Sequence, residues 1–124
     1  MTRLLRESPD QLDSRSDQRR EDALRRRRLL HQLPPLEHLL RGSLIERYKR
    51  CGRPGCHCAN GPGHGPKFYL SISSSGERPR MDYVPNATLA DSRHYLANFR
   101  KVREVLNDIC AINAELLRRR EPFE

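Results

Sequence analysis

The sequence has no tryptophan and only three phenylalanines and four tyrosines in 124 residues, and 35% of its residues are hydrophobic. Leu, Ile, Val and Phe together make 27 of 124, about 22%, close to the ~20% level at which chains no longer bury enough surface to fold. A large aromatic core is excluded, and something besides burial is expected to hold a small one together. Long apolar runs are also lacking, which excludes a membrane span and a signal peptide and points to a soluble, cytoplasmic protein. Disulfides seldom persist in that compartment, so the four cysteines call for another use. Lysine is scarce as well: of 24 cations only Lys49, Lys67 and Lys101 are lysines.

What remains is arginine. Against 16 acids the 24 cations give a net charge of +8 and an isoelectric point near 9.9. The guanidinium binds phosphate through a planar fork of donors, so the balance suits nucleic acid. A GC-rich genome, whose codons favour arginine wherever a cation is tolerated, is the competing cause.

Residues 1–22 are polar and of mixed charge, and read as a flexible arm. Residues 23–41 form a short helical segment, with Leu24, Leu29, Leu30 and Leu33 partly on one face and Pro34-Pro35 as its stop. Its run Arg25-Arg26-Arg27-Arg28 suits either a phosphate backbone or a solvated helix face.

Residues 42–85 change character. Leu44 to Lys49 alternate with period two, Phe68, Leu70 and Ile72 do so more clearly, and Arg78 to Val84 reads as a returning strand that Pro79 confines to a sheet edge. These predict a three-stranded antiparallel sheet whose first two strands are joined by a cysteine-rich loop. Asp82 needs no role beyond pairing with Arg78 or Arg80.

Residues 86–121 read as one long amphipathic helix. Phe99, Val102, Leu106, Ile109 and Leu116 fall at three-four spacing, and Val105, Ile112 and Leu117 widen the stripe. The heptad places Asn113 at a core position, where a buried amide can set the register of a parallel homodimer; folding back on the N-terminal helix is the alternative. The fold class is therefore α+β.

The chemistry is concentrated between Cys51 and Pro66, where Cys51, Cys56, Cys58, His57 and His64 lie among five glycines and three prolines. Thiolates and imidazoles drawn to one point are the usual ligands of tetrahedral Zn²⁺, and turns rich in Gly and Pro let the chain fold that tightly. Cys51, Cys56 and Cys58 supply three ligands. His64 is preferred as the fourth, because Gly61-Pro62-Gly63 can turn the chain back; His57 and Cys110 are the rivals. His57 stands between two ligands, so its ring points away, and Cys110, on the apolar side of the long helix, reads as a small buried hydrophobe. Four ligands close the site, so the zinc is structural and leaves no position for metal catalysis. The absence of a P-loop, of G-x-S-x-G and of H-E-x-x-H agrees with a protein that is not an enzyme.

Gly42-Ser43-Leu44, Arg47-Tyr48, the Cys51-Gly52 and Cys56-x-Cys58 group, His64-Gly65-Pro66, Phe68-Tyr69-Leu70 and Tyr83-Val84-Pro85 before a long helix resemble a family of short prokaryotic proteins. That family is described only as a domain of unknown function and is associated with mobile genetic elements. The resemblance runs from about Gly42 to Leu117 and implies a metal loop on Cys51, Cys56, Cys58 and His64, but no activity.

The expected function is a zinc-stabilised nucleic-acid-binding accessory protein, on DNA rather than RNA, beside a recombinase or transposase. Arg41, Arg47, Lys49, Arg50, Arg53, Arg78 and Arg80, on and around the loop and hairpin, are the expected phosphate contacts. Tyr69 and Tyr83 suit stacking on unpaired bases, although tyrosines on small sheets commonly pack. The alternative is a zinc-capped coiled-coil module whose partner is another protein.

Overall fold

Strands β1 (Ser43–Lys49), β2 (His64–Ile72) and β3 (Arg80–Val84) lie between helices α1 (Pro9–His31) and α2 (Asn86–Arg118) in the computed structural model of the chain. The structure describes residues 9–56, 61 and 63–124. Two compact units divide it. One comprises Pro35–Arg100, the other the residues up to Pro34 together with Lys101–Glu124, so α2 contributes to both. No helix among the described residues is long and apolar enough to cross a membrane.

In the first unit the sheet is antiparallel with order β1-β2-β3, as the alternation predicts. Leu44 pairs with Leu70 and Glu46 with Phe68 across β1 and β2; Phe68 pairs with Val84 and Leu70 with Asp82 across β2 and β3. The register slips between Arg47 and Lys49, where β2 carries an extra residue around Pro66, which has no N–H to give the ladder. β3 follows Pro79 and is an edge strand, where a proline disturbs no inner pairing. Phe68, Leu70, Val84 and Leu96 form the buried core, flanked by Leu40, Leu44, Ile72 and Leu89. Arg93 lies over the Phe68 ring at 5.3 Å. The segment after Pro35 is tied to α2: His38 stacks on Tyr95 at 5.0 Å, and its carbonyl accepts from Asn98 Nδ2 at 2.9 Å.

The second unit is helical. Leu29 of α1 is buried with Val105, Ile112 and Leu116 of α2, and Leu33 and Ile109 pack against them. The buried line on α2 is therefore narrower than the stripe expected from sequence: Leu106 and Leu117 remain 51% and 62% exposed. Cys110 is exposed too, one position round the helix from the inward Ile109, which corrects its reading as a buried hydrophobe. Asn113 Oδ1 accepts a 2.7 Å hydrogen bond from the Arg26 guanidinium, so its amide has a partner on α1 of the same chain.

Two helix boundaries differ from expectation. Residues 9–22 of the expected arm are helical, for α1 begins at Pro9, and residues 1–8 of that arm lie outside the described residues. Proline is tolerated in a first turn, where its missing N–H would have no helical acceptor, and no Gly or Pro follows until Pro34. Asp22, 7% exposed, holds this helix from its middle: Arg119 donates to it at 2.6 Å and to Glu121 at 2.9 Å. α2 stops at Arg118 because Arg120 turns left-handed with φ 59°. Arg120 N–H then donates to the Leu117 carbonyl and Glu121 N–H to that of Leu116, the paired bonds that close a helix C-terminus in a Schellman motif.

Candidate metal centre

The loop between β1 and β2 begins with a tight turn. Arg53-Pro54-Gly55-Cys56 closes with Cys56 N–H donating to the Arg53 carbonyl at 3.2 Å, and Gly55 has φ 77°. Proline followed by a positive-φ glycine is the signature of a type II turn. It turns Cys56 back toward Cys51, which stands two residues beyond the end of β1.

His64 arrives from the other side, as the first residue of β2, paired with Lys49. Its approach depends on Gly63, whose φ is 107° and at which a Cβ would sit 2.8 Å from the Lys49 carbonyl carbon. Only a residue without a side chain lets the chain pass so close to β1 there. Arg50 braces the same turn: its Nε and one terminal nitrogen donate to the Gly61 carbonyl at 3.3 and 3.1 Å.

These devices bring Cys51, Cys56 and His64 into one group whose ligand atoms all lie within 4.8 Å of one another, with Cys56 Sγ 3.3 Å from His64 Nε2. Bonds of about 2.3 Å to sulfur and 2.0 Å to nitrogen place tetrahedral ligands roughly 3.5–3.8 Å apart, so donors gathered within 4.8 Å need only small shifts to share one ion. The group can hold a metal ion. Cys51 and His64 are exposed and Cys56 half-buried, which leaves the centre open to an ion from solution. Hydrogen bonding with the Cys51 and Cys56 side chains raises the His64 pKa above its usual 6.5, and charge on the sulfurs acts in the same direction against desolvation. Cys58, the remaining expected ligand, and His57, the rival of His64 for the fourth position, lie outside the described residues.

The seven expected phosphate contacts differ in their local partners. Arg41, Arg47, Lys49, Arg53 and Arg78 are exposed. Arg50 is engaged with Gly61, and Arg80 donates to Asp82 at 3.1 Å, the pairing anticipated for that acid. Arg47 lies 5.6 Å over the Tyr69 ring. The sequence reading missed Lys67, which faces Arg47 across β1 and β2, although its place in the alternation two residues before Tyr69 already put it on that side. It also missed the bracing role of Arg50, whose signal was its position next to Cys51.

The family model described as Domain of unknown function (DUF6788) matches residues 18–94, more than half of the chain, and the chain belongs to that family. The match begins inside α1, upstream of the expected start at Gly42, and ends within α2, before Leu117. No curated protein and no solved structure matches the chain.

Proposed function

We propose that this family member is a zinc-stabilised nucleic-acid-binding accessory protein, acting on DNA rather than RNA, beside a recombinase or transposase of a mobile genetic element. The observation that carries the reading is the convergence of Cys51, Cys56 and His64 at the loop end of a small, arginine-bordered sheet. Two sulfurs and an imidazole nitrogen favour zinc over the hard, oxygen-seeking cations. Cys58 is the fourth ligand expected from the sequence, and a site closed by four protein ligands is structural. Such an ion contributes on the order of 10 kcal/mol, comparable with the whole stability of a small domain. That suits a sheet unit whose buried core is Phe68, Leu70, Val84 and Leu96.

The net charge of +8 supplies long-range attraction to nucleic acid, and the exposed Arg41, Lys49, Arg53 and Arg78 supply phosphate contacts. The mobile-element setting rests on the resemblance of the loop and strand motifs. Titration of duplex DNA over a range of salt tests the reading. Arg53→Ala with Arg78→Ala is expected to flatten the slope of log K against log salt by about 2; an unchanged slope removes both residues from the interface.

A second reading, a zinc-capped helical module for protein association, draws on Leu24, Leu30, Leu106 and Leu117, all about half or more exposed. Homodimerisation through α2 is its simplest form. Equilibrium sedimentation showing a monomer, with DNA bound, decides for the first reading.

A further inference from the structure

The sheet has a second face. Opposite the side that buries Phe68, Leu70 and Val84, alternation places Ile45, Arg47, Lys67, Tyr69, Met81 and Tyr83 together. Among the strand residues described, none on this face is acidic; Glu46 and Asp82 pair on the other side, with Phe68 and Leu70.

Three features of this face call for a ligand. Tyr83 is 55% exposed, yet its ring is held edge-on against Tyr69, with centroids 5.7 Å apart and planes at 63°. A large apolar ring is thus fixed in orientation and left open to solvent. Arg47 and Lys67 face one another across β1 and β2, both exposed. Like charges directly opposite on a sheet are unfavourable, and an anion between them reverses the sign. The Arg47 guanidinium, 5.6 Å over the Tyr69 ring, joins the cationic pair to the aromatic one.

We infer that this open face is a stacking platform for single-stranded nucleic acid, with an unpaired base on the Tyr83 ring and neighbouring phosphates on Arg47 and Lys67. The inference rests on the nucleic-acid reading above and specifies its ligand. Exposed aromatic rings beside cations on a sheet bind single strands with little sequence preference, because every base has a π-face. In a duplex the bases are stacked on each other and offer this face only phosphates. Arg47 and Lys67 lie on the loop side of the tyrosines, since the next pair along the ladder is Lys49 with His64. The metal loop therefore sets the end of the platform where the phosphates bind.

The test compares one mixed sequence as single-stranded DNA, as RNA and as duplex DNA, by fluorescence anisotropy at ~150 mM salt, where binding by charge alone is weak. The full chain is used with Tyr83→Leu and Tyr83→Phe. Single strands are expected to bind more tightly than duplex, and the tighter of DNA and RNA identifies the source. Tyr83→Leu is expected to weaken single-strand binding by roughly tenfold and leave duplex binding unchanged, whereas Tyr83→Phe, which keeps the ring, retains affinity. Circular dichroism checks that both variants keep the fold, as the exposure of Tyr83 leads one to expect. With no tryptophan in the chain, quenching of tyrosine emission by the oligonucleotide that is reduced in Tyr83→Phe gives a second readout. Binding to every nucleic acid with no effect of Tyr83→Leu overturns the platform and leaves the nucleic-acid function standing. No binding to any of the three overturns both, and assigns the face to a protein partner.

Discussion

His64 Nε2 lies 3.3 Å from Cys56 Sγ, although eight residues separate them in sequence. The contact brings a nitrogen and a sulfur close to the separation of two ligands on one metal ion, with Gly63 and the Pro54-Gly55 turn as its backbone causes.

The same contact has two pH signatures of opposite sign. In metal-free protein, bonding to Cys51 and Cys56 raises the His64 pKa above 6.5. The protonated ring then stabilises the fold fully below about pH 6.5, and this contribution is lost as pH rises through the raised value. Metal binding needs neutral imidazole and thiolate, so metal affinity increases with pH. Titration of the His64 ring by NMR in chelated protein is expected to give a midpoint above 6.5, and the titration is expected to vanish when metal is added. A midpoint at or below the usual value contradicts the contact.

Gly63→Ala places a Cβ 2.8 Å from the Lys49 carbonyl carbon at a φ of 107°. A strained residue of this kind costs about 1–3 kcal/mol. The start of β2 is expected to shift away from β1, so the substitution should lower both the melting temperature and metal affinity. Unchanged metal affinity would show that His64 does not depend on this approach.

Leu116 and Leu117 are neighbours on α2 with opposite fates, 1% and 62% exposed. Leu116→Ala is expected to cost about 2–5 kcal/mol in denaturant unfolding, and Leu117→Ala less than about 0.5 kcal/mol. Equal losses would mean that the helical unit is packed differently.

Arg120→Gly is expected to stabilise. Arg120 holds φ 59° at the end of α2, a conformation that disfavours a residue bearing a Cβ by about 1 kcal/mol, and glycine is the usual residue there. The Arg119 links to Asp22 and Glu121 involve neither the Arg120 side chain nor its charge, so they should persist. Thermal unfolding of the variant gives the sign.

Elements set by local pattern were legible in the sequence. Phe68, Leu70 and Ile72 alternate, so β2 and its inner face followed; Pro79 marked an edge strand, and Pro34-Pro35 ended α1. Contacts fixed by distant partners were not legible. Asp22 and Arg119 are 97 residues apart, and nothing near either one announces the pair. The first half of α1 carries no apolar period, and the contacts that hold the helix, from Asp22, Arg26 and Leu29, come from its second half, so the first half read as an arm. For Asn113 a heptad names the position and not the partner, and its hydrogen bond with Arg26 of the same chain was not legible. At the metal centre, residue type and Gly/Pro content pointed to Cys51, Cys56 and His64. The brace from Arg50 to Gly61 depends on how the loop closes, which the spacing of cysteines does not specify.

One zinc ion is proposed to close the loop and hold the sheet unit together. Native mass spectrometry of the full chain, before and after chelation and paired with circular dichroism, tests it most directly. The expected result is one Zn²⁺ per chain, lost in Cys56→Ser with His64→Ala, and a sheet that melts on chelation while part of the helical signal remains. A metal-free chain, or a sheet and melting temperature unchanged after complete metal removal, would contradict it.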